Sequence, residues 1–396
     1  MIKEYLNIFV RKTIIAMLHV FYLFPVKNNR IIFESFDGRG YSCNPKYISE
    51  YLLKNYSSEY EIVWSFINPE KYCKDNIANI YVKKNSIRYM YYRLTSKVII
   101  TNMTDPIYIP KRNNQLLICT WHAAGAYKKV GNSFTGNNSK SKEWQMRVLR
   151  DKTDTWISSS KMFTETNIVD AYDHKGTILK AGMPRNDIFF NPDRISKASL
   201  RVKAKYGIQE EMVILYAPTY KGDRVRITDS NYEFPFFDFL KRLYSETNRK
   251  IVFLFRGHYY VNKNDTLFQQ DDDYFRFINV SDYPDMQELL CAIDMLITDY
   301  SSSMWDNALA AKPCLLWIPD RSEYDHSRGT YTSIDTWPGI PCEDKTALLN
   351  AVDEINSFDF KAKAKKHFEE FQSYETGNAT VQVVNYIMNY CKTGVK

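Results

Sequence analysis

Short apolar runs rich in β-branched and aromatic residues recur along this chain with helix-length stretches between them, and they fall into two sets. The first set covers residues 30–36, 60–66, 97–102, 115–120, 155–158 and 177–180; the second covers 212–217, 251–255, 275–280, 295–298 and 314–318. Buried parallel strands alternating with helices read this way, so the pattern predicts an α/β chain with two doubly wound sheets. A length of 396 residues is enough for two such domains. Polar residues 191–205 read as a linker leading into a helix, and helices are expected over 304–311, 345–356, 360–373 and 380–391. The domain reading is a segment over 1–27, an N-terminal domain over 28–192, a C-terminal domain over 193–375, and a helix over 376–396 that packs back on the N-terminal domain. Ligands of open α/β sheets bind beyond the carboxyl ends of strands, so chemistry is expected there, in a central cleft that the two domains face.

Composition narrows the classes. The chain is 44% hydrophobic and 25% charged, which suits a globular protein and excludes disordered and fibrous sequence. Lys and Arg exceed Asp and Glu by 53 to 46, a mild basic excess that fits anionic ligands or an anionic membrane face and is too small to imply nucleic acid. The 7 cysteines form no CxxC pair, so a reducing compartment is expected and neither a disulfide scaffold nor a zinc site. Asp271, Asp272 and Asp273 read as a solvated loop, and no metal or cofactor is expected to be required. At the N-terminus, Ile8 to Val26 is interrupted by Arg11, Lys12 and His19, leaving an apolar core of about 14 residues, short of the ~20 that span a bilayer. It reads as an amphipathic segment lying on an anionic membrane surface, with Lys3, Arg11, Lys12 and Lys27 near headgroups.

Unusual residues do follow the strands. After the run 115–120 come Trp121, His122 and Gly125; a histidine there can act as a general base. Arg256 and His258 follow 251–255 and suit a diphosphate. Asp299, Tyr300, Ser301, Ser302 and Ser303 follow 295–298 and open a helix, offering N–H groups and hydroxyls to an anion. Thr219 and Lys221 close the first strand of the second set, with Lys221 in reach of a phosphate, while Asp320 and Arg328 mark a later loop and Arg185 and Asp187 a turn ending the first half.

In this order, Trp121-His122-x-x-Gly125, Gly182-x-Pro184-Arg185-x-Asp187, Ala217-Pro218-Thr219, Arg256-x-His258 and Thr298-Asp299-Tyr300-Ser301-Ser302 resemble the CDP-glycerol:poly(glycerophosphate) glycerophosphotransferase family of teichoic acid synthesis, over about residues 30 to 375. The resemblance implies a GT-B architecture, a CDP-glycerol or CDP-ribitol donor, and transfer of the alditol phosphate to a lipid-linked disaccharide or poly(alditol phosphate) acceptor, with release of CMP. It implies a peripheral enzyme at the cytoplasmic side of the cell membrane. Its two essential histidines match His122 and His258, and its serine-rich donor-phosphate motif matches Ser301 and Ser302. Ala123-Ala124 and Tyr259 depart from the usual pattern without removing a catalytic group. Two rival readings stand beside it: a GT-B glycosyltransferase using a nucleotide sugar, and a nonenzymatic scaffold binding membrane or polymer.

Overall fold

The computed structural model describes residues 2–134, 140–219, 234–257 and 272–396. Contacts divide the chain into two units. The first comprises Met1–Ala124, Val130–Asp187 and Ser373–Lys396, the second Gly125–Lys129 and Ile188–Gln372.

The first unit is built on a seven-stranded parallel sheet. Its strands are β1 Lys27–Glu34, β2 Glu61–Phe66, β3 Ile80–Lys83, β4 Ser96–Thr101, β5 Leu116–Cys119, β6 Thr155–Ile157 and β7 Thr177–Leu179, in the order β3-β2-β1-β4-β5-β6-β7. The second unit holds six: β8 Met212–Tyr216, β9 Ile251–Phe255, β10 Phe275–Asn279, β11 Met295–Thr298, β12 Cys314–Trp317 and β13 Ile340–Cys342, in the order β10-β9-β8-β11-β12-β13. All pairings are parallel. Central strands such as Leu116–Cys119 and Cys314–Trp317 are buried at every position, because helices cover both faces of such sheets. Each large apolar side chain so buried contributes about 1.5–3 kcal/mol.

Strand order reverses direction between β1 and β4 in the first sheet and between β8 and β11 in the second. At such a switch the connections leave toward opposite faces of the sheet and open a crevice at the strands' carboxyl ends.

Residues 191–205, read from their polarity as a linker, are instead the helix Pro192–Tyr206. Asn191 caps it by accepting from the Arg194 N–H, Pro192 occupies the first turn, and Gly207 ends it at φ +60°. Polarity here marks an exposed helical face. The division between units falls at Asp187 and Ile188 and again at Gln372 and Ser373, and the helix Ala379–Thr393 lies in the first unit. At the N-terminus a helix over Ile2–Leu18 runs into a 3-10 turn over His19–Leu23. Among the described residues no helix is long and apolar enough to cross a membrane.

Candidate active site

In the first unit, β5 delivers Trp121 and His122 to the carboxyl edge. Trp121 has φ +51°, a left-handed conformation that costs a bulky residue strain and persists only where its surroundings enforce it. The Asn44 carboxamide supplies part of that enforcement, donating to the carbonyls of Thr120 (3.1 Å) and Trp121 (3.0 Å). His122 is half-buried, with its ring against those of Trp121 (4.6 Å) and Phe36 (5.8 Å). Its Nδ1 lies 3.0 Å from the backbone carbonyl of Asn102, which follows β4. A carbonyl can only accept, so Nδ1 carries the proton and the neutral ring keeps its lone pair on Nε2, the form a general base needs.

The turn before the end of this half is a joint. Gly182 has φ +83°, and a Cβ there would come within 2.7 Å of Glu375 Oε2. Glu375 in turn accepts from the Met183 N–H (3.0 Å) and the Asn186 amide (2.9 Å). Arg185 is buried; its N–H donates to Asn44 Oδ1 (3.1 Å) and its guanidinium lies against Cys43 Sγ (3.4 Å). Asp187 accepts from the N–H groups of Ala379 (3.0 Å) and Thr380 (2.8 Å), which holds the start of the helix Ala379–Thr393. These contacts make Asp187 a helix anchor and tie Arg185, through its backbone, to the support of His122.

In the second unit, Asp299 and Thr219 span the switch between β8 and β11. Asp299 is 3% exposed and accepts from the Thr219 N–H at 2.9 and 3.1 Å and from its hydroxyl at 2.9 Å. Thr298 donates to the Ala217 carbonyl (2.7 Å), stitching the same two strand ends. Ser301 Oγ accepts from the Ser303 hydroxyl (3.0 Å) and N–H (3.3 Å), while Ser302 makes no side-chain capping bond to the helix Ser303–Leu309. Tyr300 is fully buried, donates to Asp320 Oδ1 (3.2 Å) and lies face to face with Tyr324 (3.5 Å between ring centres). Burial and the neighbouring Asp320 push its phenol pKa well up, so it remains a donor. Past β12, Asp320, Ser322, Glu323 and His326 line an open depression of about 510 Å³. Arg256, half-buried, donates to the Tyr283 carbonyl (2.9 Å).

The segment Gly125–Lys129 joins this unit. A Cβ at Gly125 would overlap the ring of Tyr127, so only glycine fits. Tyr127 and Lys129 form an antiparallel ladder with residues 329–331: the Lys129 N–H donates to the Gly329 carbonyl (3.1 Å) and the Tyr331 N–H to the Tyr127 carbonyl (2.8 Å), with Arg328 Nε on the Lys129 carbonyl (3.2 Å). Between them, Lys128 lies in the field of Asp299 and Arg328. Burial pulls its ammonium pKa down, Asp299 opposes this and Arg328 adds to it. Lys128 therefore stands in electrostatic reach of Asp299, which follows the interior strand β11, and of Arg328. His258 and Lys221 lie outside the described residues.

Of the residues named from sequence, Thr219, Asp299, Ser301 and Ser303 are brought together at the second switch. Asn44, Asn102 and Glu375 were not singled out as site residues, and the stacking of Tyr300 on Tyr324 was not foreseen. Asn102 carried a signal: a polar residue placed directly after a buried strand.

Two doubly wound parallel sheets, each with polar residues following its strands' carboxyl ends, give the chain the GT-B fold. The solved structure of the wall teichoic acid polymerase TagF matches it with a TM-score of 0.82 and 26% identity, covering 100% of this chain and 99% of that one. The family described as CDP-Glycerol:Poly(glycerophosphate) glycerophosphotransferase matches residues 16–389, and the chain belongs to it. A teichoic acid poly(glycerol phosphate) polymerase of Bacillus spizizenii is 30% identical over 375 residues, covering 92% of this chain and 93% of that protein. The Bacillus subtilis protein of the same name is 29% identical over 390 residues, and there the match spans 51% of its length. The chain is an enzyme that transfers an alditol phosphate from a CDP-alditol in teichoic acid synthesis.

Proposed function

We propose that the alditol is glycerol and that the chain moves glycerol phosphate from CDP-glycerol to a hydroxyl of a lipid-linked or poly(glycerol phosphate) acceptor. The first unit receives the acceptor and the second the donor. His122 Nε2 takes the proton of the acceptor hydroxyl, whose oxygen forms a bond to the β-phosphorus. The bond from that phosphorus to the bridging oxygen breaks, and CMP leaves with the bridging oxygen and its electron pair. Arg256, Lys128 and the hydroxyls of Ser301 and Ser302 offset the diphosphate charge, joined by His258 and Lys221, and the imidazolium returns its proton to solvent or CMP. The observation that carries this reading is the setting of His122: half-buried at a strand's carboxyl end, with Nδ1 on a carbonyl 3.0 Å away.

We also propose that the enzyme works at the cytoplasmic face of the membrane. The N-terminal helix and turn expose Phe9 (67%), Met17 (70%), Val20 (58%) and Leu23 (83%), and Lys12 and Lys27 are exposed near them. Apolar groups flanked by cations suit an interface with anionic lipid.

Incubation with CDP-glycerol, CDP-ribitol and UDP-sugars, with a poly(glycerol phosphate) acceptor, tests the donor. CMP released from CDP-glycerol with growth of the acceptor is the expected result. Release from CDP-ribitol alone would replace the alditol, and UDP release would replace the reaction with glycosyl transfer.

A further inference from the structure

We propose that Asn102 is the positioning residue that fixes the tautomer and aim of His122. The inference rests on the role of His122 as base, but its physical content is separable from that role.

Asn102 is the first residue past β4, at the switch between β1 and β4, and it is fully buried. Three groups converge on it. Its backbone carbonyl holds His122 Nδ1 at 3.0 Å. Its side-chain oxygen accepts from the Phe36 N–H at 2.7 Å, and its amide nitrogen donates to Ser35 Oγ at 3.3 Å. The last two contacts hold a backbone that would otherwise relax, because Phe36 (φ +45°) and Asp37 (φ +57°) both occupy the left-handed region. Strain of this kind is retained where the surroundings over-determine it.

Phe36 and Trp121, the latter itself at φ +51°, both present their rings to His122. Asn102 thus controls two restraints at once. Its main chain selects which ring nitrogen is protonated, and its side chain fixes the loop whose aromatic ring limits rotation of the imidazole. A histidine without the carbonyl partner can place its proton on Nε2, and that form cannot accept the acceptor's proton. Outer partners that orient a functional histidine through its second nitrogen typically matter by about 10- to 100-fold where they hold metal ligands, and the same size is expected here.

The test uses the full chain labelled with ¹⁵N-histidine, with the His122 signals identified by their loss in His122→Gln. In the unsubstituted protein the neutral ring should show Nδ1–H. Asn102→Ala keeps the backbone carbonyl but removes the side-chain contacts to Phe36 and Ser35 that hold it in place. With the carbonyl's aim on Nδ1 relaxed, the Nε2–H tautomer should gain population, kcat should fall about 10- to 100-fold at nearly constant KM for CDP-glycerol, and the acid limb of the kcat–pH profile should move. Asn102→Asp, which keeps an acceptor for the Phe36 N–H, should restore part of the kcat and carries the test if Asn102→Ala does not fold. An unchanged tautomer and an unmoved pH limb in a folded variant would overturn the proposal. A shifted tautomer with unchanged kcat would leave Asn102 as the positioning group and instead remove His122 from the reaction.

Discussion

His367 is 1% exposed, its ring enclosed by Trp305, Tyr127 and Phe371. Nδ1 lies 2.9 Å from the Thr336 carbonyl, so that nitrogen donates, and Nε2 accepts from the Tyr127 hydroxyl at 3.0 Å. The neutral ring is satisfied on both sides, and burial pulls its pKa down from 6.5 to about 4. Between those values an unfolded chain takes up a proton that the folded chain refuses. The stability contributed is present above pH 6.5 and is lost as pH falls toward 4, by on the order of 3 kcal/mol in all. Thermal unfolding of wild type and His367→Gln across this range checks it: the variant should start less stable and lose less on acidification, and parallel curves would contradict the assignment. His122 and Asp299 were legible because their position after a buried run marks them as strand-end groups. Asn44 was not, since its task depends on Thr120, Trp121 and Arg185, which are far away in sequence and meet it only in the fold.

At the scale of elements, the buried strands announce themselves through continuous apolar residues, which is what a parallel sheet covered on both faces requires. The two strands that went unnoticed are both edges. Ile80–Lys83 is four residues long with one buried side chain, and Ile340–Cys342 is three residues long and contains Pro341. An edge strand tolerates proline because one side of its ladder pairs with no neighbour, and so short a run carries no readable periodicity. The helix Pro192–Tyr206 failed as a linker for a different reason. Its apolar contribution is small, with Ala198 and Val202 buried, but Asn-Pro at its start and glycine at its end are strong boundary chemistry. Capping outweighed polarity there.

For the whole molecule, length and the two sets of apolar runs predict two domains but not how the chain threads them. Gly125–Lys129 joins the second unit through hydrogen bonds to residues 329–331, and the C-terminal residues from Ser373 return to the first, where Tyr374 donates to the Ser159 carbonyl (2.7 Å). Pairings across such sequence distances leave no local pattern. The exposed apolar groups near the N-terminus belong to this scale as well. Met17→Glu combined with Leu23→Glu should release the enzyme from phosphatidylglycerol vesicles in a sedimentation assay while leaving CMP release in solution within about twofold; retention on the vesicles would exclude this surface as the docking site.

CMP release from CDP-glycerol by wild type and His122→Ala, with donor binding measured on the same preparations, tests base catalysis at the end of β5 most directly. Turnover should fall about 10²- to 10⁴-fold while CDP-glycerol binds as before. Undiminished turnover in a folded His122→Ala protein would contradict it.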